Sequence, residues 1–191
     1  QLEASLKTDA DKVIAVILVL GEIGTMTDMS KIQNIITTIS SLFSHENDQI
    51  RQAAAICLGS ISIGNTNFFV EKVFALVAQS EANTKYMYMS TIREIINIKP
   101  ECLSQYLPNL LPLYLEQARS DQGAIVNIVS ESIGKLYIVS PGQMENDLIA
   151  TLRSNDLASQ NAVTKSFRYS AFKNSNAKSF ARVVPLLVQQ T

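Results

Sequence analysis

Apolar residues recur at the spacing of an amphipathic α-helix along most of the chain, and sustained strand-like alternation is scarce. One helical face is formed by Ile50, Ala54, Cys57, Leu58 and Ile61. Two further faces are Leu107, Leu110, Leu111, Tyr114 and Leu115, and Ile125, Val129, Ile133 and Leu136. Short polar breaks separate these segments, as between packed helices. The sequence therefore predicts an all-α chain of about ten helices.

The polar breaks also place the helices along the chain. We expect a helix around Lys12–Thr25, then four antiparallel pairs, then one unpaired helix. The predicted pairs are 31–43 with 48–64, 67–79 with 84–98, 103–118 with 123–139, and 143–153 with 156–172, and the last helix is 177–189. Pro108, Pro112 and Pro185 fall where the first helix of a pair is expected to begin or bend.

A short motif near the end of each second helix indicates internal repeats. It reads Leu20-Gly21-Glu22-Ile23 at its first occurrence, and its glycine position is later occupied by Gly59, Arg93, Gly134 and, more faintly, Arg168. The spacings are 38, 34, 41 and 34 residues. An irregular period near 40 with two helices per unit is typical of HEAT repeats, whereas other helical repeats keep a stricter period. We therefore predict an α–α superhelix of the HEAT/armadillo type.

The domain prediction is one solenoid fragment over residues 1–191, with about five repeats. The pattern starts in a second helix and stops in a first helix, so we expect both ends to cut through repeats and the native chain to continue. A helical glycine costs about 1 kcal/mol relative to alanine. Its recurrence at Gly21, Gly59 and Gly134 indicates close helix contact. Asp48 is expected to cap helix 48–64, and Arg51 to reach carboxylates of neighbouring repeats.

Charge is distributed unevenly along the chain. The formal net charge is −1, but residues 1–152 carry 10 Lys/Arg against 16 Asp/Glu, and residues 153–191 carry 6 against 1. We expect this basic end to be a solvated helix face, with docking of an acidic partner or of nucleic acid as the alternatives. Nucleic acid is not the expected partner of the whole chain, because there is no global basic excess.

The cysteines and the apolar runs indicate the environment in which the chain functions. Cys57 and Cys102 lie far apart in sequence, which favours a reducing compartment over a disulfide framework. The longest apolar run, Val13 to Leu20, is too short to cross a bilayer, so no membrane association is expected.

Catalytic and cofactor chemistry finds little support in the sequence. His45 is the only histidine, and it falls in a polar connection where a surface role is expected. One histidine and two distant cysteines do not make a zinc site. Gly59–Thr66 resembles a phosphate-binding loop, but Asn65 replaces the lysine and the stretch ends a helix. We therefore expect no catalytic, cofactor-binding or metal-binding residues and no enzyme activity.

Lys85-Tyr86-Met87-Tyr88-Met89 is the segment best suited to partner contact, since it is aromatic and flexible. It also begins a predicted second helix, where core residues are needed. We expect about half of its side chains in the core and the remainder on the inner surface of the solenoid. Particular partner-binding residues are not identified by the sequence.

Several segments together resemble the cullin-associated, neddylation-dissociated proteins, the Cand family, also called TATA-binding-protein-interacting proteins. The resemblance rests on Leu20–Gly24, Ala53–Asn65, Lys85-Tyr86, Ile92–Ile96 and Asn127–Leu136, in the same order and with matching helix spacings. It covers about residues 11–170 and weakens after Tyr169. It places this chain in the C-terminal half of a much longer solenoid.

The resemblance implies a function in cullin–RING ubiquitin ligases. Members of this family wrap an unneddylated cullin with its RING subunit and compete with the adaptor–substrate receptor module, so that the module is exchanged. A monomeric scaffold in the cytoplasm and nucleus is expected on this basis. The alternative is another HEAT-repeat scaffold: a nuclear transport receptor, a phosphatase scaffold or a condensin-type subunit.

Overall fold

The computed structural model describes residues 2–173 and 181–188, and this part of the chain is helical, with no strand in it. It contains ten α-helices and two 3₁₀ segments, so the predicted all-α class and the helical repeats are confirmed. The chain divides into two compact units, Gln1–Lys99 and Pro100–Thr191. One continuous solenoid over residues 1–191 stays a prediction.

The first unit contains one second helix and two pairs. Helix α1 is Leu2–Met26, and α2, Ile35–Ser40, continues into a 3₁₀ segment, Ser41–Ser44. Helix α3 is Asp48–Gly64, α4 is Thr66–Gln79 and α5 is Ala82–Ile98. The second helices α1, α3 and α5 pack side by side, because α3 contacts both of the others extensively. The first helix α4 packs mainly on α5.

The second unit repeats this arrangement. A 3₁₀ segment, Pro100–Tyr106, leads into α6, Leu107–Gln117, and α7 is Gly123–Val139. Helix α8 is Pro141–Leu152, α9 is Leu157–Lys173 and the short α10 is Val184–Val188. The second helices α7 and α9 form the main contact of this unit. The predicted helix 177–189 lies partly outside the described residues.

Glycine contacts repeat in register between successive second helices. A Cβ added to Gly21 of α1 would lie 3.1 Å from the Cα of Cys57 and 3.4 Å from the Cβ of Ser60 on α3. Cys57 lies two residues before Gly59, the motif glycine of α3, and Ser60 lies one residue after it. The approach is close enough that glycine is the residue that fits without a shift of the neighbouring helix.

The next contacts keep the same register. A Cβ on Gly59 would lie 2.7 Å from both the carbonyl oxygen of Thr91 and the Cβ of Glu94, again two before and one after the motif position of α5. In the second unit, a Cβ on Gly134 would lie 2.3 Å from the carbonyl oxygen of Ser166 and 2.8 Å from the Cβ of Tyr169. The predicted close contact at all three glycines is therefore confirmed, and the register shows that the units are true structural repeats.

Polar bonds at one-repeat separation reinforce this order. In the first unit, Asn65 donates to the Oδ2 of Asp28 at 3.0 Å and accepts the Phe68 N–H at the start of α4. In the second unit, the Ser170 hydroxyl donates to the Gly134 carbonyl at 2.9 Å. Each pair of partners from different repeats is separated by 36 or 37 residues in sequence. One side chain thus joins its own helix to the preceding repeat.

Some local expectations were wrong. Helix α2 starts at Ile35, four residues later than predicted, because Asn34 adopts a left-handed conformation with φ 58°. Asn47 caps α3, accepting the Gln49 N–H at 2.8 Å, while Asp48 is the first helical residue. Arg51 binds Asp48 and the carbonyls of the preceding connection, so it reaches no neighbouring repeat through these bonds.

Candidate protein-binding surface

One face of each of the second helices α3 and α5 is accessible to solvent. On α3 this face carries the half-buried Gln52 and Ile56, which is 38% exposed. On α5 it carries the half-buried Arg93 and the exposed Asn97. The spacing of four residues within each helix keeps these side chains on one side. This face in the first unit is mixed polar and apolar, as in many protein interfaces.

The equivalent face of the second unit carries more charge. On α7, Lys135 forms an ion pair with Glu131, one turn away. On α9, the equivalent of Glu131 is Lys165 and the equivalent of Gly134 is Arg168, since the repeat spacing is 34 residues. Both α9 side chains are exposed, and within the described residues neither has an ion-pair partner. Lys165 and Arg168 therefore lie within one turn of α9, both exposed and without an ion pair among the described residues.

Two apolar side chains are also exposed on α9. Leu157, at the start of α9, is 71% exposed, and Tyr169 is 38% exposed beside Arg168. Tyrosine and arginine are enriched among the residues that contribute most to protein interfaces. We call the exposed residues Leu157, Lys165, Arg168 and Tyr169 the α9 face.

Other basic residues of the predicted basic end are used differently. Arg182 forms an ion pair with Glu145 at 3.0 Å, within the described part of the unit. Arg153 is exposed at the end of α8, before the connection to α9, and is not part of the α9 face. Lys178 and the side chain of Lys173 lie outside the described residues. The solvated-face interpretation and the docking interpretation both remain compatible with the exposed positions of Lys165 and Arg168.

Asp156 organises the start of α9. Its carboxylate accepts the Ser159 hydroxyl at 2.6 Å and the Arg119 Nη2–H at 2.8 Å, and its Oδ1 accepts the Ser159 N–H. The bonds from Ser159 and from Arg119 lower the pKa of Asp156 to about 2. The carboxylate also lies at the positive end of the α9 dipole. Asp156 thus fixes the helix that bears the α9 face and ties it to the connection after α6.

The aromatic segment at residues 85–89 divides as expected. Met87, Tyr88 and Met89 are buried in the first unit, and the Tyr88 ring packs edge-on against Phe43. Lys85 and Tyr86 are half-buried. About half of the segment is therefore core, as predicted. Tyr86 is the aromatic residue of the segment whose side chain is partly accessible to solvent.

The residues considered for catalysis have structural roles. His45 Nδ1 accepts the Asn47 N–H at 3.0 Å, which shapes the connection before α3. Gly59–Gly64 lies within α3, and a Cβ on Gly64 would meet the carbonyl oxygens of Gly24 and Thr27 at 2.2 and 2.6 Å. The rejection of a phosphate-binding loop is therefore confirmed, and α3 ends at Gly64 without a positive φ at that residue.

The described residues hold no candidate metal site, and the thiol of Cys57 is unsuited to nucleophilic chemistry. The His, Cys, Asp and Glu side chains there form no group of three that could hold a metal ion. Cys57 is buried, and burial raises the pKa of its thiol to about 12, which suppresses the reactive thiolate. Among the helices that the structure describes, none combines the length and apolarity needed to cross a membrane.

Sequence reasoning missed the α9 face as a set of residues. Lys165 and Arg168 were counted in the basic end, but a charge count does not assign residues to a helix face. Aligning α9 with α7 at the 34-residue spacing places Lys165 at the position of Glu131 and Arg168 at the position of Gly134, which are half-buried and buried in α7. The alignment alone therefore gives no signal for the exposure of both cations on α9.

Comparison with known proteins supports the resemblance. No family model matches the chain. Cullin-associated NEDD8-dissociated protein 1 of Dictyostelium discoideum is 25% identical over 163 residues, which is 81% of this chain and 13% of that protein. The protein of the same name from Drosophila melanogaster is 27% identical over 180 residues, 88% of this chain and 14% of its own length. The Arabidopsis thaliana protein of that name is 23% identical over 167 residues, 85% and 14% respectively.

These relatives confirm the resemblance to the Cand family over most of the chain. They are much longer proteins, because the chain covers only 13–14% of each. The similarity, together with the helical repeats, makes a cullin-associated scaffold the function to consider.

Proposed function

We propose that this chain is a segment of a non-catalytic scaffold that binds the unneddylated cullin of a cullin–RING ubiquitin ligase. The observation that carries the proposal is the similarity over more than four-fifths of the chain to relatives named for cullin association. The fold supports it, because stacked helix pairs expose extended surfaces suited to a protein partner. The scaffold acts as a monomer in the cytoplasm and nucleus.

The finer proposal is an exchange factor. The scaffold competes with the adaptor–substrate receptor module for the cullin, and the RING subunit accompanies the cullin. If the scaffold lowers the affinity of the adaptor by some factor, the adaptor must lower the affinity of the scaffold by the same factor. A ternary state that both partners destabilise lets either one leave, which accelerates exchange of the module.

The α9 face is the surface that we assign to the partner. Lys165 and Arg168 are exposed without ion pairs in the described residues, and Leu157 and Tyr169 supply exposed apolar area on the same helix. Complementary charge steers association and excludes wrong partners. An acidic surface of the cullin is the matching chemistry.

Binding of the 191-residue chain to an immobilised cullin–RING complex tests the proposal. We expect binding to the unneddylated complex, weaker binding after neddylation, and loss of binding as purified adaptor is added. Arg168→Glu should weaken binding by about tenfold or more, because a like charge then faces the partner. Arg153→Glu is the matched control, since it makes the same change at an exposed residue outside the α9 face.

Two results would contradict the proposal at different levels. No binding of the unneddylated complex by the wild-type chain would remove the cullin-binding function. Equal weakening by Arg153→Glu and Arg168→Glu would retain the function and remove the α9 face as its site. Affinity capture that recovers transport, phosphatase or chromosomal subunits instead of cullin would favour the other HEAT-repeat scaffolds.

A further inference from the structure

A groove runs between the first helices α6 and α8 of the second unit. One cavity of about 400 Å³ is lined by residues that include Leu107, Leu111, Met144 and Asp147. A neighbouring cavity of about 330 Å³ shares Leu107, Leu111 and Asp147 and continues along α6 to Leu115. Each volume lies in the range of small-ligand pockets. The two cavities together form one groove, the α6–α8 groove, separate from the α9 face.

The length of the groove suits an extended peptide. From Leu107 to Leu115 the helix rises about 12 Å, at 1.5 Å per residue. An extended segment of about four residues spans that distance. Its floor is apolar, because the side chains of Leu107, Leu111 and Met144 line it while being almost fully buried. The apolar area open to a guest comes from Pro108, Pro112 and Ala150, which also line the groove and are exposed.

Two prolines lie along the α6 side of the same groove. Pro108 and Pro112 both line it, and both are exposed. Pro112 lies inside α6 and has no N–H, so it cannot donate the usual helical bond to the Pro108 carbonyl. The carboxylate of Asp147 lies on the opposite wall. A bound segment would therefore need hydrogen-bond donors to match the Pro108 carbonyl and the Asp147 carboxylate.

Charge on the surrounding elements points to a cation. The segment Pro100–Tyr106, α6 and α8 contain no lysine or arginine, and their charged residues are Glu101, Glu116, Glu145 and Asp147. Glu145 is paired with Arg182, whereas Asp147 has no ion-pair partner within the described residues. Asp147 is also the only charged residue in the groove lining.

We propose that the α6–α8 groove binds a short extended segment of a partner protein in which a lysine or arginine lies beside apolar residues. The cation pairs with Asp147, and its N–H groups reach the acceptors of the wall. Neighbouring apolar side chains cover the exposed Pro108, Pro112 and Ala150. The groove is thus a second docking site, on first helices and of opposite charge to the α9 face.

A random nine-residue peptide library displayed on phage, selected on the full 191-residue chain, tests the proposal. We expect enriched peptides to carry an arginine or lysine beside apolar residues. A fluorescein-labelled enriched peptide should bind at least tenfold more weakly to the Asp147→Lys chain and to the Ala150→Trp chain, in which the wall is filled. Asp121→Lys, at an exposed acidic residue outside the elements that form the groove, and Asn109→Trp, at an exposed α6 residue outside the lining, are matched controls and should bind within twofold of wild type.

A second measurement does not depend on variants. The methyl resonance of Met144, labelled with ¹³C in the wild-type chain, should shift on addition of the enriched peptide and stay unchanged with its Arg/Lys→Glu version. Enrichment of acidic or purely apolar peptides, binding that Asp147→Lys leaves intact, or an unmoved Met144 resonance would each overturn the proposal.

Discussion

Replacing Gly134 by alanine tests whether the repeats are held by close glycine contacts. The added Cβ would lie 2.3 Å from the Ser166 carbonyl oxygen, whereas ordinary contact begins near 3.4 Å. Helices α7 and α9 must therefore separate by roughly 1 Å, and the obstacle is backbone that cannot rotate away. The same movement strains the hydrogen bond from the Ser170 hydroxyl to the Gly134 carbonyl.

The magnitude follows from three opposing contributions. Overpacking of a tight core costs about 1–3 kcal/mol, and weakening one buried hydrogen bond costs up to about 1 kcal/mol. Alanine regains about 1 kcal/mol of helix propensity. The net loss in the free energy of unfolding is therefore about 2 kcal/mol. With a urea m-value of about 2 kcal/mol/M, the unfolding midpoint should fall by about 1 M.

Urea unfolding followed by circular dichroism at 222 nm measures this shift, and Gly142→Ala supplies the control. Gly142 lies in α8 of the same unit, and a Cβ there has no atom within 4 Å. Its replacement should leave the midpoint unchanged or raise it by the equivalent of up to about 1 kcal/mol. A Gly134→Ala chain as stable as the Gly142→Ala chain would refute the contact argument.

Three further predictions concern the ends of helices and the thiols. Bonds from Ser159 and Arg119 lower the pKa of Asp156 to about 2, so the stability that its carboxylate contributes is present above about pH 4 and is lost as the pH falls towards 2. In the Asp156→Asn chain, the free energy of unfolding should therefore fall less steeply over this pH range than in wild type, as acid unfolding curves would show. Asn65→Ala should lower the urea midpoint by the equivalent of about 1–2 kcal/mol, since it removes the cap of α4 and the bond to Asp28; an unchanged midpoint would count against both bonds. Native Cys57 should react with a thiol reagent far more slowly than half-buried Cys102, as peptide mapping of the labelled chain would show, and equal rates would contradict the burial of Cys57.

The helices that sequence predicts best are those with a full amphipathic stripe and a clear polar break at each end. The predicted bounds 48–64 and 123–139 match α3 and α7. Helix α2 was placed too early, because the turn at Asn34 depends on a backbone conformation that polarity does not reveal. The cap of α3 was missed by one residue, since Asn47 and Asp48 are both good caps and only geometry chooses between them.

The candidate surfaces were less predictable than the fold. The repeat motif locates the contact glycines, since Gly21, Gly59 and Gly134 recur at the same motif position although glycine destabilises a helix relative to alanine. It does not show which side chains remain exposed, because exposure depends on the helices that pack on either side. The α6–α8 groove depends on the distance between two helices, and that distance is set by buried residues such as Met144 that the pattern assigns only to a core.

The register of the glycine contacts gives the repeats within each unit a direction. Helices α1, α3 and α7 each offer a notch at the motif glycine, and the next second helix of the same unit fills it with residues from two fixed positions, so the two sides of such a module differ. An additional module could therefore be spliced in only head to tail, with its notch towards the next one. A module inserted in the reverse sense would bring two notches or two filled faces together, leaving either a void or a clash.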